Sequence, residues 1–173
     1  MRTFSKPRLS PLQSVFATGL ATALAAACYD PVHLDAVANL GPETPGIPPG
    51  PTHRASQPCS TCHGGDGPAE TELTIAGTLY QVRGDDAPLV DGVVTVTDAR
   101  GEARSMRSNA AGNFFLTERE WAPVFPLHVV LEAEGIRREM VTTIGRDGSC
   151  ATCHRGDGDG DRTRMPGVYL RDR

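Results

Sequence analysis

The chain predicts an all-β fold, an antiparallel β-sandwich with chemically distinctive loops at both ends. Three observations carry this. Short runs rich in Val, Ile, Thr, Leu, Tyr and Phe recur between positions 73 and 143. Gly, Asn and Asp turn signals separate them at the spacing of a sandwich. Helical periodicity is nearly absent, with one short candidate turn from Thr117 to Trp121.

Taken in order, Leu73 to Val82 alternates in the period-two pattern of a strand. Val90 to Thr97 carries Val93-Val94-Thr95-Val96, and Asp98-Ala99-Arg100-Gly101 turns it into a polar strand from Arg104 to Ser108. Asn109-Ala110-Ala111-Gly112-Asn113 turns again into Phe114-Phe115-Leu116. Leu127 to Ala133 is the most hydrophobic run; Glu134-Gly135 reverses it, and Arg137 to Thr143 returns. A last β-like run is Met165 to Leu170. This is enough chain for one small domain.

Ahead of the sandwich, a basic start (Arg2, Lys6, Arg8) and an apolar run from Val15 to Ala27 read as a secretory leader over residues 1–27, too short for a stable membrane span. Leu24-Ala25-Ala26-Ala27-Cys28 resembles a bacterial lipoprotein box, which makes Cys28 the expected lipidation site; the three alanines also suit ordinary signal-peptide cleavage. Residues 28–58 are expected to form a lipid-anchored, proline-rich linker, a stalk from Gly41 to Pro51 that ends near His53. Without the three basic residues of the leader the formal charge falls from −4 to −7, and no lysine remains. An acidic surface argues against nucleic acid as a partner and suits basic protein partners.

The chemistry lies in a repeated pentapeptide. Cys59-Ser60-Thr61-Cys62-His63 returns as Cys150-Ala151-Thr152-Cys153-His154, and the likeness continues through Gly-Asp-Gly into a short strand. C-x-x-C-H is the attachment signature of c-type haem. Two thioethers hold the porphyrin, and the next histidine turns onto the iron. The motifs use four of the five cysteines, and the fifth is Cys28. Two disulfides or a zinc site would use the same cysteines, but zinc pairs usually lie closer in sequence and need no following histidine. The expectation is two covalently attached haems, with Cys59, Cys62, Cys150 and Cys153 as attachment sites and His63 and His154 as proximal ligands. Export agrees, because this attachment takes place outside the cytoplasmic membrane.

The middle segment resembles the carboxypeptidase regulatory-like, or transthyretin-like, β-sandwich family. The residues that carry the resemblance are Ile75 to Tyr80, Pro88-Leu89-Val90-Asp91-Gly92-Val93-Val94-Thr95-Val96, and Ser108-Asn109-Ala110-Ala111-Gly112-Asn113-Phe114. It covers about residues 73–145 and implies an accessory module without catalysis. The whole arrangement resembles small di-haem c-type cytochromes in which such a sandwich is flanked by C-x-x-C-H motifs. Segments 59–72 and 146–173 are then the two haem-binding segments, the second including the final strand.

Distal ligands are the thinnest inference. His53, six residues before Cys59, can reach around a porphyrin edge. For the second haem Met140 ranks ahead of His128, which shares the less buried face of its strand with Val130 and Glu132, and ahead of Met165. The alternate carboxylates from Asp157 to Asp161 lack the glycine and glutamate that a calcium loop needs. The expected role is single-electron transfer at the cell envelope, periplasmic or on an outer-membrane anchor, with envelope redox proteins as partners. The alternatives are a small haem peroxidase and a zinc-binding structural lipoprotein.

Overall fold

The computed structural model describes residues 30–43, 45–156 and 165–172. Two helices, α1 (Pro31–Asn39) and α2 (Ser60–His63), precede nine strands: β1 (Leu73–Val82), β2 (Val93–Thr97), β3 (Ala103–Arg107), β4 (Asn113–Thr117), β5 (His128–Ala133), β6 (Ile136–Glu139), β7 (His154–Gly156), β8 (Met165–Pro166) and β9 (Val168–Arg171). They form a three-stranded sheet β4-β1-β9, a four-stranded sheet β3-β2-β5-β6, and the small pair β7-β8. The fold is the β-rich, sandwich-like one expected, with one difference in direction. β9 joins β1 in parallel, and so does β8 join β7.

Burial alternates along β2, whereas β1 is buried on both faces through its middle. Ile75 and Leu79 of β1, Val94 and Val96 of β2, Leu131 of β5 and Leu170 of β9 meet in one core with Leu89, Met106, Phe114, Trp121 and Leu127. Each such side chain contributes about 1.5–3 kcal/mol on burial. His128, Val130 and Glu132 occupy the opposite face of β5, and His128 is partly exposed with Nε2 3.0 Å from Glu139 Oε1. His128 and Glu132 are open to solvent as the period-two reading expects, but Val130 on the same face is buried. The Asp98 turn closes by accepting N–H bonds from Arg100 (2.8 Å), Glu102 (2.9 Å) and Val124 (3.1 Å). Thr117 to Trp121 is a turn rather than a helix, held where the Glu120 carboxylate accepts from Thr117.

The segment read as a linker needs correction. Asp30 caps α1 by accepting from the Val32 and His33 amides, and proline occupies the first turn. Beyond the helix, the His53 loop is fastened to the sheet rather than standing off it. Asn113 Nδ2 donates to His53 O (2.9 Å), Ser56 N donates to Thr78 Oγ1 (2.9 Å), and Tyr80 OH donates to Ser56 Oγ (2.6 Å).

Candidate functional site

Both repeated motifs are docked on β1. Along the first half of one edge of this strand, Ala76 N donates to Gly148 O (3.0 Å) and Ala76 bridges Ser149 in parallel. Along the second half, Leu79 and Tyr80 pair with Val168 and Tyr169 of β9. The strand that follows the first motif therefore lies beside the residues that lead into the second. The two strands of the internal repeat are themselves neighbours.

The motifs adopt different local structures. Cys59-Ser60-Thr61-Cys62-His63 winds into α2, with His63 N donating to Cys59 O (2.8 Å), and leaves both thiols half-buried. In the second motif Cys150–Thr152 form a 3-10 turn, and His154 starts a strand. Cys150 packs against the core while Cys153 is exposed. Gly77 makes this possible: a Cβ there would stand 2.9 Å from Cys150 Cβ and 2.9 Å from the Phe114 ring. Burial pushes the Cys150 thiol up to about 12, and the charge of neighbouring Cys59 adds to the effect. Burial also raises the Cys59 thiol. All four thiols are free.

The two motif histidines share one feature. His63 Nδ1 lies 2.7 Å from Thr71 O, and His154 Nδ1 lies 2.8 Å from Pro166 O. A carbonyl oxygen can only accept, so in each ring Nδ1 carries the proton. The neutral imidazole then presents a bare Nε2, the atom a metal takes. Sequence reasoning missed these two acceptors, because they stand eight residues downstream in a loop and twelve downstream in β8, with no motif of their own.

A cleft of about 460 Å³ opens beside His63, with Leu73, Ala76, Phe125, Arg146 and Ser149 in its walls. Its size falls in the range of ligand pockets, and Arg146 supplies a cation suited to carboxylates. Ser149 Oγ is buried without a partner. Glu72 and Glu118 also line the cleft, and their mutual hydrogen bond holds the Glu72 carboxyl above its ordinary range. His63 lines this cleft and Cys59 and Cys62 belong to the same short segment, an arrangement that fits a covalently held porphyrin at the first motif. At the second, the half-buried Cys150, packed against the core, must turn outward to bond one.

His53 comes close to His63: their ring centroids are 5.7 Å apart with the planes tilted by 39°. Met140 follows β6 on the four-stranded sheet, its N–H donated to Val129 O. Met165 is the residue in register with His154 and is exposed. His33, on α1, has a buried Nε2 without a partner and was not singled out from the sequence; the Asp30-Pro31 start of its helix was the available signal. Cys28, the secretory leader and the Asp157 to Asp161 run lie outside the described residues. Among the described residues no three His, Cys, Asp or Glu side chains converge as a metal cage would require, and no helix is long and apolar enough to cross a membrane. Comparison with protein-family models, with curated proteins and with solved structures finds no match.

Proposed function

We propose that the chain is an exported, lipid-anchored di-haem c-type cytochrome that passes single electrons between partner proteins of the cell envelope. The observation that carries this reading is the pair of histidines that directly follow a C-x-x-C, each with Nδ1 committed to a backbone carbonyl. One such bond is common. The same bond at both copies of the motif is what two proximal ligands need, because it sets the tautomer and the ring orientation together.

Each haem, when bound, would supply an iron that takes up and releases one electron at a potential set by its ligands and surroundings. The protein's part is to hold and tune. Cys59 and Cys62 would anchor one ring, Cys150 and Cys153 the other, with His63 and His154 on the proximal sides. His53 is the distal ligand of the first centre in this reading, supported by its closeness to His63. A centre closed by two imidazoles favours a carrier over a peroxidase, which needs an open position. Met165 lies beside His154, and directly paired strand residues point to the same side, so it cannot face His154 across an iron. Met140 would be the distal ligand of the second centre. Zinc held by protein alone would need a converging ligand set, and among the described residues none is found.

The test is denaturing mass spectrometry of protein made with the c-type maturation machinery. Two added haem masses are expected, and one after Cys59→Ala with Cys62→Ala. No added mass despite active maturation refutes the proposal.

A further inference from the structure

We propose that Glu43 is a positioning residue for the distal imidazole of the first haem, accepting the Nδ1–H of His53 so that Nε2 faces the iron; this rests on the ligation of His53 put forward above. Arg54 holds the carboxylate in place. Its backbone is in the left-handed region (φ +46°), uncommon for a residue with a side chain. From there its guanidinium reaches Glu43 Oε1 (2.9 Å), Gln57 Oε1 (2.8 Å) and Gly41 O (2.9 Å). The turn after α1 is thereby tied to the loop that carries His53.

Glu43 has unused capacity. Its Oε2 is buried with no partner, a placement that costs free energy, more so for a charged group. Its Oε1 lies 3.9 Å from His53 Nδ1. The other neighbour of Nδ1 is the Gly50 N–H at 3.5 Å, too long for a good hydrogen bond. In the haem-free fold the tautomer of His53 is therefore weakly held, unlike those of His63 and His154. Ligation through Nε2 requires the proton on Nδ1, and closing by about 1 Å would make a full bond to the carboxylate. The His53 backbone cannot drift, since its carbonyl accepts from Asn113 Nδ2. The movement is confined to the two side chains.

The chemistry differs from that at the proximal side. His63 donates to a neutral carbonyl, whereas His53 would donate to a carboxylate. A carboxylate raises the basicity of the ring and favours the more highly charged ferric iron. Glu43 thus fixes the ring and lowers the potential of the first haem relative to one with a neutral acceptor.

The experiment is potentiometric titration of the fully haem-loaded protein, comparing wild type with Glu43→Gln and with Glu132→Gln. The second variant removes a carboxylate from the exposed face of β5, paired with Arg137 and outside the cleft beside His63. Expected for Glu43→Gln is about a tenfold loss of ferric over ferrous preference, an upward shift of about 59 mV in one of the two haems. Glu132→Gln should move it much less. In the wild type, proton NMR should show the His53 Nδ1–H of the loaded protein protected from exchange, a measurement that needs no variant. No shift in Glu43→Gln, equal shifts in both variants, or a freely exchanging Nδ1–H would each overturn the role of Glu43. A first haem that stays low-spin in His53→Ala would overturn the ligand assignment itself, and a chain without haem would overturn the function.

Discussion

In the haem-free protein, Cys150 should be the slowest of the four described cysteines to react with iodoacetamide. The thiolate is the reacting form. At pH 8 an ordinary thiol of pKa 9.0 is about one-tenth ionised, whereas a thiol at about 12 is ionised in about one molecule in 10⁴. The chemical factor alone is about a thousandfold, and packing against Gly77 adds steric protection. Reaction is expected to proceed through local opening at the neighbouring Ala76–Ser149 bridge. Gly148→Ala tests this route. A Cβ there would fall 1.8 Å from Thr74 O, so the backbone has to move and the bond from Ala76 N to Gly148 O (3.0 Å) is lost. Overpacking and one hydrogen bond together are worth about 2 kcal/mol or more, about thirtyfold in the open population. The assay is mass spectrometry of peptides after timed alkylation. Exposed Cys153 should react first in both proteins, and Cys150 at least about thirtyfold faster in the variant. Equal rates for Cys150 and Cys153 in the wild type, or no acceleration in Gly148→Ala, would refute the reasoning.

The same thiol sets a pH dependence. The folded chain keeps the Cys150 proton to about 12 while the unfolded chain releases it near 9.0. Haem-free stability should hold below pH 9 and fall as pH rises toward 12, with a slope approaching about 1.4 kcal/mol per unit in urea titrations; a flat profile would count against burial. Gly77→Ala should lower haem-free stability by about 1–3 kcal/mol, through contact with Cys150 and Phe114, and an unchanged urea midpoint would contradict this. Asp98 works in the opposite sense. The N–H of Val124 heads the bonds that hold its carboxyl below the ordinary range. Its contribution is present above about pH 4 and lost as pH falls through the lowered value, so Asp98→Asn should flatten the acid side of the stability curve. If Cys28 carries the lipid, Cys28→Ser should move most of the protein from the membrane to the soluble fraction on cell fractionation; equal partition would rule that anchor out.

The strands were legible because their burial is local in origin. Leu73 to Val82 emerges as one strand at those bounds, since alternation and turn residues specify it without reference to the rest of the chain. The returning run from Arg137 was read to Thr143, but β6 ends at Glu139, and beyond it Val141 is fully exposed. α1 escaped notice because it buries no residue and shows no apolar stripe, which leaves the cap at Asp30 as its signature. The two pentapeptides were legible as a repeated motif, and His53 was legible as a candidate ligand, whose ring lies 5.7 Å from that of His63. The inward turn of Cys150 was not, for it depends on a contact with Gly77 far away in sequence. The carbonyl acceptors of Thr71 and Pro166 were equally hidden, since backbone oxygens have no residue type to read.

The shared edge of β1 also imposes an order of events. The partners of that edge, Gly148 and Ser149 for its first half and β9 for its second, come some seventy to ninety residues after the strand itself. Contacts so distant in sequence form slowly and cannot form at all until the later segment has been made. During that interval β1 has one open side, and the second pentapeptide has no surface against which to hide its first cysteine. Under the proposed function, an enzyme that joins porphyrin to thiol would find Cys150 fully accessible only in this window. The topology would then work as a clock: a chain modified promptly would close around its cofactor, and one left waiting would fold with Cys150 packed against the core.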